Sequence, residues 1–455
     1  MRARREERTP PTAWREAATL LVASIMVSGA AIYNGYPLVH TDTRDYLTGA
    51  NFGGRSIFYH LLIAPAQYTH TLWTVVAMQS LLVIYLIRLV LRHVFAIKSG
   101  LQFLVVIALV CALSNLPWCA GFIVPDIFQP MMVLGLFLLA FCYDRLSRWE
   151  RGYVITLTFI GSIVHYSNPP IAIALLAAAL IVRMALRRRV SDTVANLATP
   201  AIVIAAALGA LVVSNYLTFG LVTYSASGYA FELYRLAKDG PAREYLSRNC
   251  SDQKYEACGY VHPGPMSPYF ALWGSKSMFK KNGFIGERKE GMAIMIGTIE
   301  QYPLWVLRDA LAHTISQLGH DESAVGMDTA VHSDYPTAAL RSLYPDEFDS
   351  YLNSRQSRNE FANPLGLQSL DHSVLLFCVF YCLFIAAVLA RDGQWLAVKL
   401  MATVGLAVLV NAFVTGAISA PVGRYENRII WLIPLLAIAS WRKALRLSDD
   451  EGARL

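Results

Sequence analysis

The sequence predicts an all-α membrane protein of about ten spans, and three observations carry that reading. Charged residues make up only 16% of the 455-residue chain and hydrophobic residues 55%, whereas a soluble domain carries about 25% charged residues. The apolar residues fall in blocks whose lengths approach the roughly 20 residues that a helix needs to cross a hydrocarbon core about 30 Å thick. The basic residues sit at the ends of those blocks rather than along one polar face. The net charge of +7 therefore follows the positive-inside pattern and argues against nucleic acid as a partner.

In order, the blocks are 17–32, 72–90, 101–118, 127–143, 154–165, 171–184, 195–217, 374–390, 398–417 and 429–440. The first follows a basic stretch (Arg2, Arg4, Arg5, Arg8, Arg15) and ends in no small-residue cleavage pattern, so it is expected to remain as a signal anchor. Between the fifth and sixth, Ser167-Asn168-Pro169-Pro170 cannot easily continue a helix, because proline lacks a donor and restricts its predecessor. Two short helices meeting in a tight outer turn are expected there. With a cytosolic N-terminus, alternation places Arg88, Arg92, Lys98, Arg145, Arg148, Arg151, Arg183, Arg187, Arg188, Arg189, Arg391 and Lys399 inside, with Arg442, Lys443, Arg446 and Arg454. The short outer loops receive only Arg44, Arg55, Arg424 and Arg428, and both termini are then cytosolic.

This divides the chain into a first membrane module (1–217, about seven spans), an outer insert of mixed structure (218–372) and a second module (373–455, about three spans). Within the insert, Cys250 and Cys258 enclose a short polar loop; in an oxidising compartment such a pair is expected to form a disulfide. No second Cys/His pair with zinc-like spacing accompanies it. Residues 292–318 have apolar positions at helical spacing, interrupted near Pro303, together with Glu300, Arg308 and Asp309. They suit a broken helix that lies along the membrane surface or packs the insert onto the spans. Residues 319–363 have no pattern that assigns them a role.

The polar residues of the outer loops face a compartment without ATP or nucleotide sugars, so a transferase there needs a lipid-carried donor. The first loop places Asp42 and Asp45 three residues apart, on one face if a helix starts here. Two acids and Arg44 near the interface are costly unless solvated, paired or used. Helix capping by Thr41 or Asp42 accounts for one acid but poorly for the pair. Asp126, at the outer mouth of the fourth block, is favoured there by the helix dipole, and it shares the outer side with Asp42 and Asp45. Convergent, the three are candidates to bind a divalent cation (Mg or Mn), or to divide into a general base and a group that orients substrate.

Arg424 and Arg428, four apart around Tyr425, are natural partners of a phosphate, or else anchors at the interface or members of an internal salt bridge. Tyr425, His165 and Asn168 are candidate acceptor or substrate contacts, with a turn-stabilising role competing for His165. Nothing matches a phosphate-cradling glycine loop, a metalloprotease helix or a serine elbow. The spans are poor in buried charge and show no repeated half, which speaks against ion-coupled transport.

With these residues in place, the layout resembles the GT-C type of membrane glycosyltransferases, which includes the family that transfers mannose or aminoarabinose from polyprenyl phosphate. The resemblance covers mainly residues 15–190. Asp42 and Asp45 match by position the acidic motif of the family's first outer loop, and Asp126 the acid of its second. The paired spans around Ser167–Pro170 and the Gln301-Tyr-Pro-Leu-Trp helix are also similar. The resemblance implies an inverting transferase in the inner membrane of a bacterium, with its site facing the periplasm and its substrates a polyprenyl-phosphate sugar donor and an envelope lipid or glycan acceptor. It implies Asp42 or Asp45 as the base and Arg424, Arg428 and Arg44 as the donor-phosphate ligands. Asp-Thr-Arg-Asp stands here where many relatives have adjacent acids, which leaves the choice of acid open; the insert stands where relatives carry a C-terminal soluble domain. The alternatives are a lipid or polysaccharide flippase or exporter, and a non-enzymatic envelope assembly factor. The latter expects the three acids to point apart.

Overall fold

The computed structural model describes residues 13–50, 53–185, 190–260, 272, 277–320, 334–361 and 367–441. Among them the chain is helical, and an isolated bridge between Leu38 and Phe122 is the sole extended pairing. The expected basic positions Arg2, Arg4, Arg5, Arg8, Arg187, Arg188, Arg189, Arg442, Lys443, Arg446 and Arg454 lie outside the described residues.

Among the described residues, five helices are at least 18 residues long and apolar enough to cross a bilayer: Trp73–His93, Asn168–Ala185, Leu197–Phe219, His372–Arg391 and Trp395–Ala417. Such a set suggests a multi-pass membrane protein. The remaining blocks form shorter helices, and two of them show why. The first forms Ala13–Val27, breaks at Ser28 and resumes as Gly29–Asn34; the Ser28 hydroxyl donates to the Ser24 carbonyl at 2.9 Å, a back-bond that bends helices. The third stops at Leu113, before Ser114, and resumes as Leu116–Gly121 around Pro117. The fifth runs further than its apolar core, as Arg148–Ile163, and meets the long helix Asn168–Ala185 of the sixth at the turn after it. A Ser147/Glu150 capping box starts one of these helices, and Pro169 and Pro170 occupy the first turn of the other.

At the centre lies Phe128–Phe141, buried along nearly its whole length. It packs against Arg148–Ile163 through glycines that allow close approach. A β-carbon at Gly161 would lie 2.8 Å from the Phe128 carbonyl oxygen, and one at Gly135 would collide with Thr158 Oγ1. Leu367–Arg391 lies at the periphery, with Phe377, Phe380, Leu383 and Phe384 exposed. At the end opposite the outer loops, Glu16 accepts hydrogen bonds from Arg88 (2.8 Å) and Arg92 (2.9 Å), and Arg92 continues to Glu150 (3.1 Å). Arg88 and Arg92, which charge counting places on the inner side, thus tie three helices together.

The insert was expected to be of mixed structure; its described residues are helical. Gly228–Asp239, Pro241–Gln253 and Arg288–Gln301 enclose two small cores, one around Tyr229, Tyr234, Phe279 and Phe284, the other around Leu233, Leu236, Leu246 and Ile294. Cys250 and Cys258 form a disulfide. Residues 292–318 form two helices that break at Tyr302, before Pro303. Within 334–361 the chain leaves these small cores: Leu340, Tyr344 and Tyr351 are buried in the core of the membrane modules.

Candidate functional site

Three loops distant in sequence meet around one arginine. In the first, Val39 leads into His40 and a short helix, Thr43–Thr48. Asp42 occupies the N-cap position, yet its side chain makes no capping bond. Thr43 does local work instead: its hydroxyl accepts from the His40 N–H (2.9 Å) and donates to the Ile123 carbonyl (3.1 Å). The carboxylate of Asp42 is thereby left for other partners. It accepts from Arg55 Nη2 through one oxygen and from Arg424 Nη1, at 2.7 Å, through the other. Asp45, one helical turn on, accepts from Arg55 Nε at 3.1 Å. Capping therefore explains neither acid.

The second loop contributes Asp126, buried in the 3-10 turn Pro125–Ile127 ahead of the central helix. Its carboxylate accepts from Arg424 Nε at 2.5 Å and Nη2 at 3.4 Å. The third loop is the short helix Gly423–Ile430, whose polar residues are nearly all buried. Arg424 thus joins Asp42 to Asp126, and Arg55 joins Asp42 to Asp45. The three acids are thus chained through two arginines, with Asp42 in the middle.

Burial by itself would disfavour ionising Asp42, but the surrounding charge, Arg55 foremost, holds its carboxyl well below the usual range. Asp45 moves the other way, because burial outweighs the pull of Arg55 and raises it. Burial, then Arg424, depresses His40 to about 4, so its ring is neutral at physiological pH. The hydrogen bonds agree: His40 Nδ1 faces two donors, the Asp42 N–H at 3.1 Å and Arg424 Nη1 at 3.0 Å, and therefore accepts. Its 3.5 Å approach to Asp42 is then a contact with a neutral ring and no salt bridge.

Arg428 is the least compensated cation. It is 1% exposed. Nη2 donates to Ser167 Oγ and to Asn411 Oδ1, both at 3.0 Å. Its Nε and Nη1 make no hydrogen bond among the described residues, and Nη1 comes no closer to Asp126 than 3.9 Å. Burial pushes its guanidinium down. A small cavity opens beside it, lined by Asn115, Trp118, Cys119, Asp126, Arg424 and Asn427. In the site, the carboxylates of Asp42, Asp45 and Asp126 meet the guanidiniums of Arg44, Arg55, Arg424 and Arg428, while burial raises the neighbouring Glu426 to about 8 and keeps it uncharged at neutral pH, leaving three anions against four cations. One positive charge is left over, a balance that favours an anionic ligand.

Of the expected phosphate ligands, Arg424 is therefore occupied by acids, and Arg44 lies at the rim, 3.7 Å from Asp45. Arg428 alone offers unused buried donors. Tyr425 stands between Arg424 and Arg428, its ring centre 5.8 and 5.2 Å from their guanidinium carbons. His165 reaches the site indirectly: Ser167, whose hydroxyl lies 2.8 Å from His165 Nδ1, accepts from Arg428. Asn168 donates to the Gly161 carbonyl at 2.6 Å and secures the turn. Sequence reasoning missed His40, Arg55, Ser167 and Asn411. His40 lies two residues before Asp42, and Arg55 follows the Gly53-Gly54 pair of the same loop, so their position in the acidic loop was the available signal.

Among the described residues, no group of three or more His, Cys, Asp and Glu side chains comes together to hold a metal ion. The reason is the arginines, which occupy the oxygens that a cation would need. The divalent-cation reading of Asp42, Asp45 and Asp126 does not fit this arrangement. No family model, no curated protein and no solved structure matches the chain.

Proposed function

We propose that the protein is a GT-C-type glycosyltransferase of a bacterial inner membrane, moving a sugar from a polyprenyl-phosphate-linked donor to an envelope lipid or glycan on the periplasmic side. The observation that carries this reading is the bridge from Asp42 through Arg424 to Asp126, which unites the acids of the first two outer loops with the arginines of the last. The surplus of positive charge, and the unused donors of Arg428, suit the phosphate that such a donor would release.

In this scheme Asp45 is the base. Its raised carboxyl is the more basic of the two first-loop acids, while Asp42 is committed to two guanidiniums. The acceptor hydroxyl gives its proton to Asp45 as its oxygen attacks the anomeric carbon. The bond from that carbon to the donor phosphate breaks, and the bonding electrons leave on the phosphate oxygen, which Arg428 stabilises. A single displacement of this kind inverts the anomeric configuration. Asp42 and Asp126 hold Arg424 and Arg55 in place beside the reacting groups.

The test is mass spectrometry of envelope lipids and glycans from a strain lacking the protein, complemented with wild type, Asp42→Asn or Asp45→Asn at matched protein levels. A hexose- or pentose-sized mass lost in the deletion, restored by wild type and not by Asp45→Asn, is the expected result. Full restoration by both Asn variants would make the acids structural and end the transferase reading.

A further inference from the structure

Two buried glutamines of the insert make the same unusual contact at two distant places. Gln317, at the end of the Pro303–Leu318 helix, donates from Nε2 to the Val422 carbonyl at 2.9 Å, and its Oε1 accepts from the Val422 N–H at 2.9 Å. Gln356 donates from Nε2 to the Val39 carbonyl at 2.5 Å, and its Oε1 accepts from the Val39 N–H at 3.0 Å. An amide paired in both directions with one residue's backbone fixes its position and its orientation, as a β-bridge does. The paired residues are not arbitrary. Val39 stands three positions before Asp42, and Val422 two before Arg424.

Each anchor is itself held. The backbone N–H groups of Arg355 and Gln356 donate to the carbonyl and side-chain oxygens of Asn34, at 3.0 and 2.8 Å. Glu347 accepts from the Tyr36 hydroxyl (3.2 Å), the Leu72 N–H (3.1 Å) and the Thr71 hydroxyl, which pins the same stretch to the start of Trp73–His93. On the other side, Gly416 lies so close to the Pro303–Leu318 helix that a β-carbon there would be 2.7 Å from the His313 carbonyl oxygen. That contact falls on the π-helical turn Phe413–Ala417, which leads towards Val422.

We infer that the insert is a two-point clamp on the site, with Gln317 and Gln356 as positioning residues that set the Asp42–Arg424 separation from its two sides. The path is continuous: Gln356 to Val39, along the chain to Asp42, across 2.7 Å to Arg424, back to Val422 and on to Gln317. Neither glutamine touches the reacting groups. This gives a role to part of the polar stretch 319–363, whose sequence suggested none. Its consequence for sugar transfer rests on the transferase reading above; the clamp itself does not.

Hydrogen–deuterium exchange on the full-length protein in detergent micelles tests it. Met keeps the volume of Gln and removes both hydrogen bonds. Gln356→Met is expected to raise exchange about tenfold in residues 37–47 and, through the Asp42–Arg424 pair, measurably in 423–430. Gln317→Met is expected to do the reverse, strongest in 423–430 and carried over to 37–47. Unchanged exchange in both loops, a rise confined to the loop beside the substituted glutamine, or an equal rise across all the long helices would overturn the clamp. Should a Met variant fail to accumulate, Gln→Ala at that position also removes both hydrogen bonds without asking the site to hold a long side chain, and the same cross-loop rise is expected. The glycan assay with Asp45→Asn stands apart: it can fail while the clamp holds, and the reverse.

Discussion

Arg424 and Asp126 are separated by 298 residues of chain, yet Arg424 Nε lies 2.5 Å from Asp126 Oδ2. Both groups are buried. Removing one member of such a pair leaves the other charge without compensation, which costs far more than the pair contributes when intact. The contact therefore commits the second and last outer loops to one arrangement.

Asp126→Ala should lower stability by up to about 3–5 kcal/mol, the usual cost of breaking a buried ion pair, less what Arg424 keeps through Asp42. Asp126→Ala with Arg424→Leu should recover most of that loss, since neither member of the pair is left buried without the other. Thermal melting of the detergent-solubilised protein reads both. A single variant that melts with wild type would mean that Arg424 keeps its charge satisfied without Asp126.

Asp45 and Asp42 should separate by pH. Burial raises Asp45, while the charges around Asp42, chiefly Arg55, lower it, so on acidification Asp45 takes up its proton first. Transfer assayed on membranes is expected to fall on the acid side as Asp45 titrates. Asp45→Asn should cost about 100-fold or more in rate and remove that acid limb. Asp42→Asn should mainly lower the melting temperature, by depriving Arg55 and Arg424 of an acceptor. An acid limb that persists in Asp45→Asn would reassign the base.

Glu426 is fully buried, and burial raises its carboxyl to about 8. The folded state therefore binds a proton that the unfolded chain has released, across the interval from the ordinary carboxyl range up to about 8. The stability contributed is complete below that ordinary range and is lost as pH rises through the folded value. Melting temperatures should decline from pH 5 to pH 9, at up to about 1.4 kcal/mol per pH unit, and Glu426→Gln should flatten the decline. An identical slope in the variant would place the titrating group elsewhere.

Gly161→Ala should cost about 1–3 kcal/mol, because the new methyl meets the Phe128 backbone, which cannot move aside without shifting the turn that holds Asp126. Gly135→Ala meets only the Thr158 hydroxyl, which already donates to the Val154 carbonyl at 2.7 Å. Thr158→Ala should relieve it. Melting of Gly135→Ala alone and with Thr158→Ala distinguishes a side-chain clash, which the second change removes, from a backbone one, which it does not.

Much of this architecture was legible without coordinates, and in each case the signal was local. Apolar block length announces helices that suit a bilayer. Proline chemistry places the turn at Ser167–Pro170 and the break at Tyr302, and close spacing across a short polar loop pairs Cys250 with Cys258. The acids and arginines of the outer loops stood out because charge beside a bilayer is costly and has to be accounted for. Helix lengths were less legible: Ser28 and Ser114 interrupt apolar blocks through hydrogen bonds and backbone turns that hydropathy does not register.

The sequence by itself determined which residues are polar where polarity is expensive; tertiary structure decided which of them are used on one another. Arg424 had the chemistry of a phosphate ligand and turned out to be the partner of Asp42 and Asp126, while Arg428, identical in type, kept two donors unspent. The carboxylates that spacing made candidates for a cation are filled by guanidiniums instead. Gln317 and Gln356 looked like ordinary polar residues until the fold set each against the backbone of a site loop. The physical reason is the same throughout: ion pairing and amide pairing act over about 3 Å, and only the packing of helices decides which residues come within it.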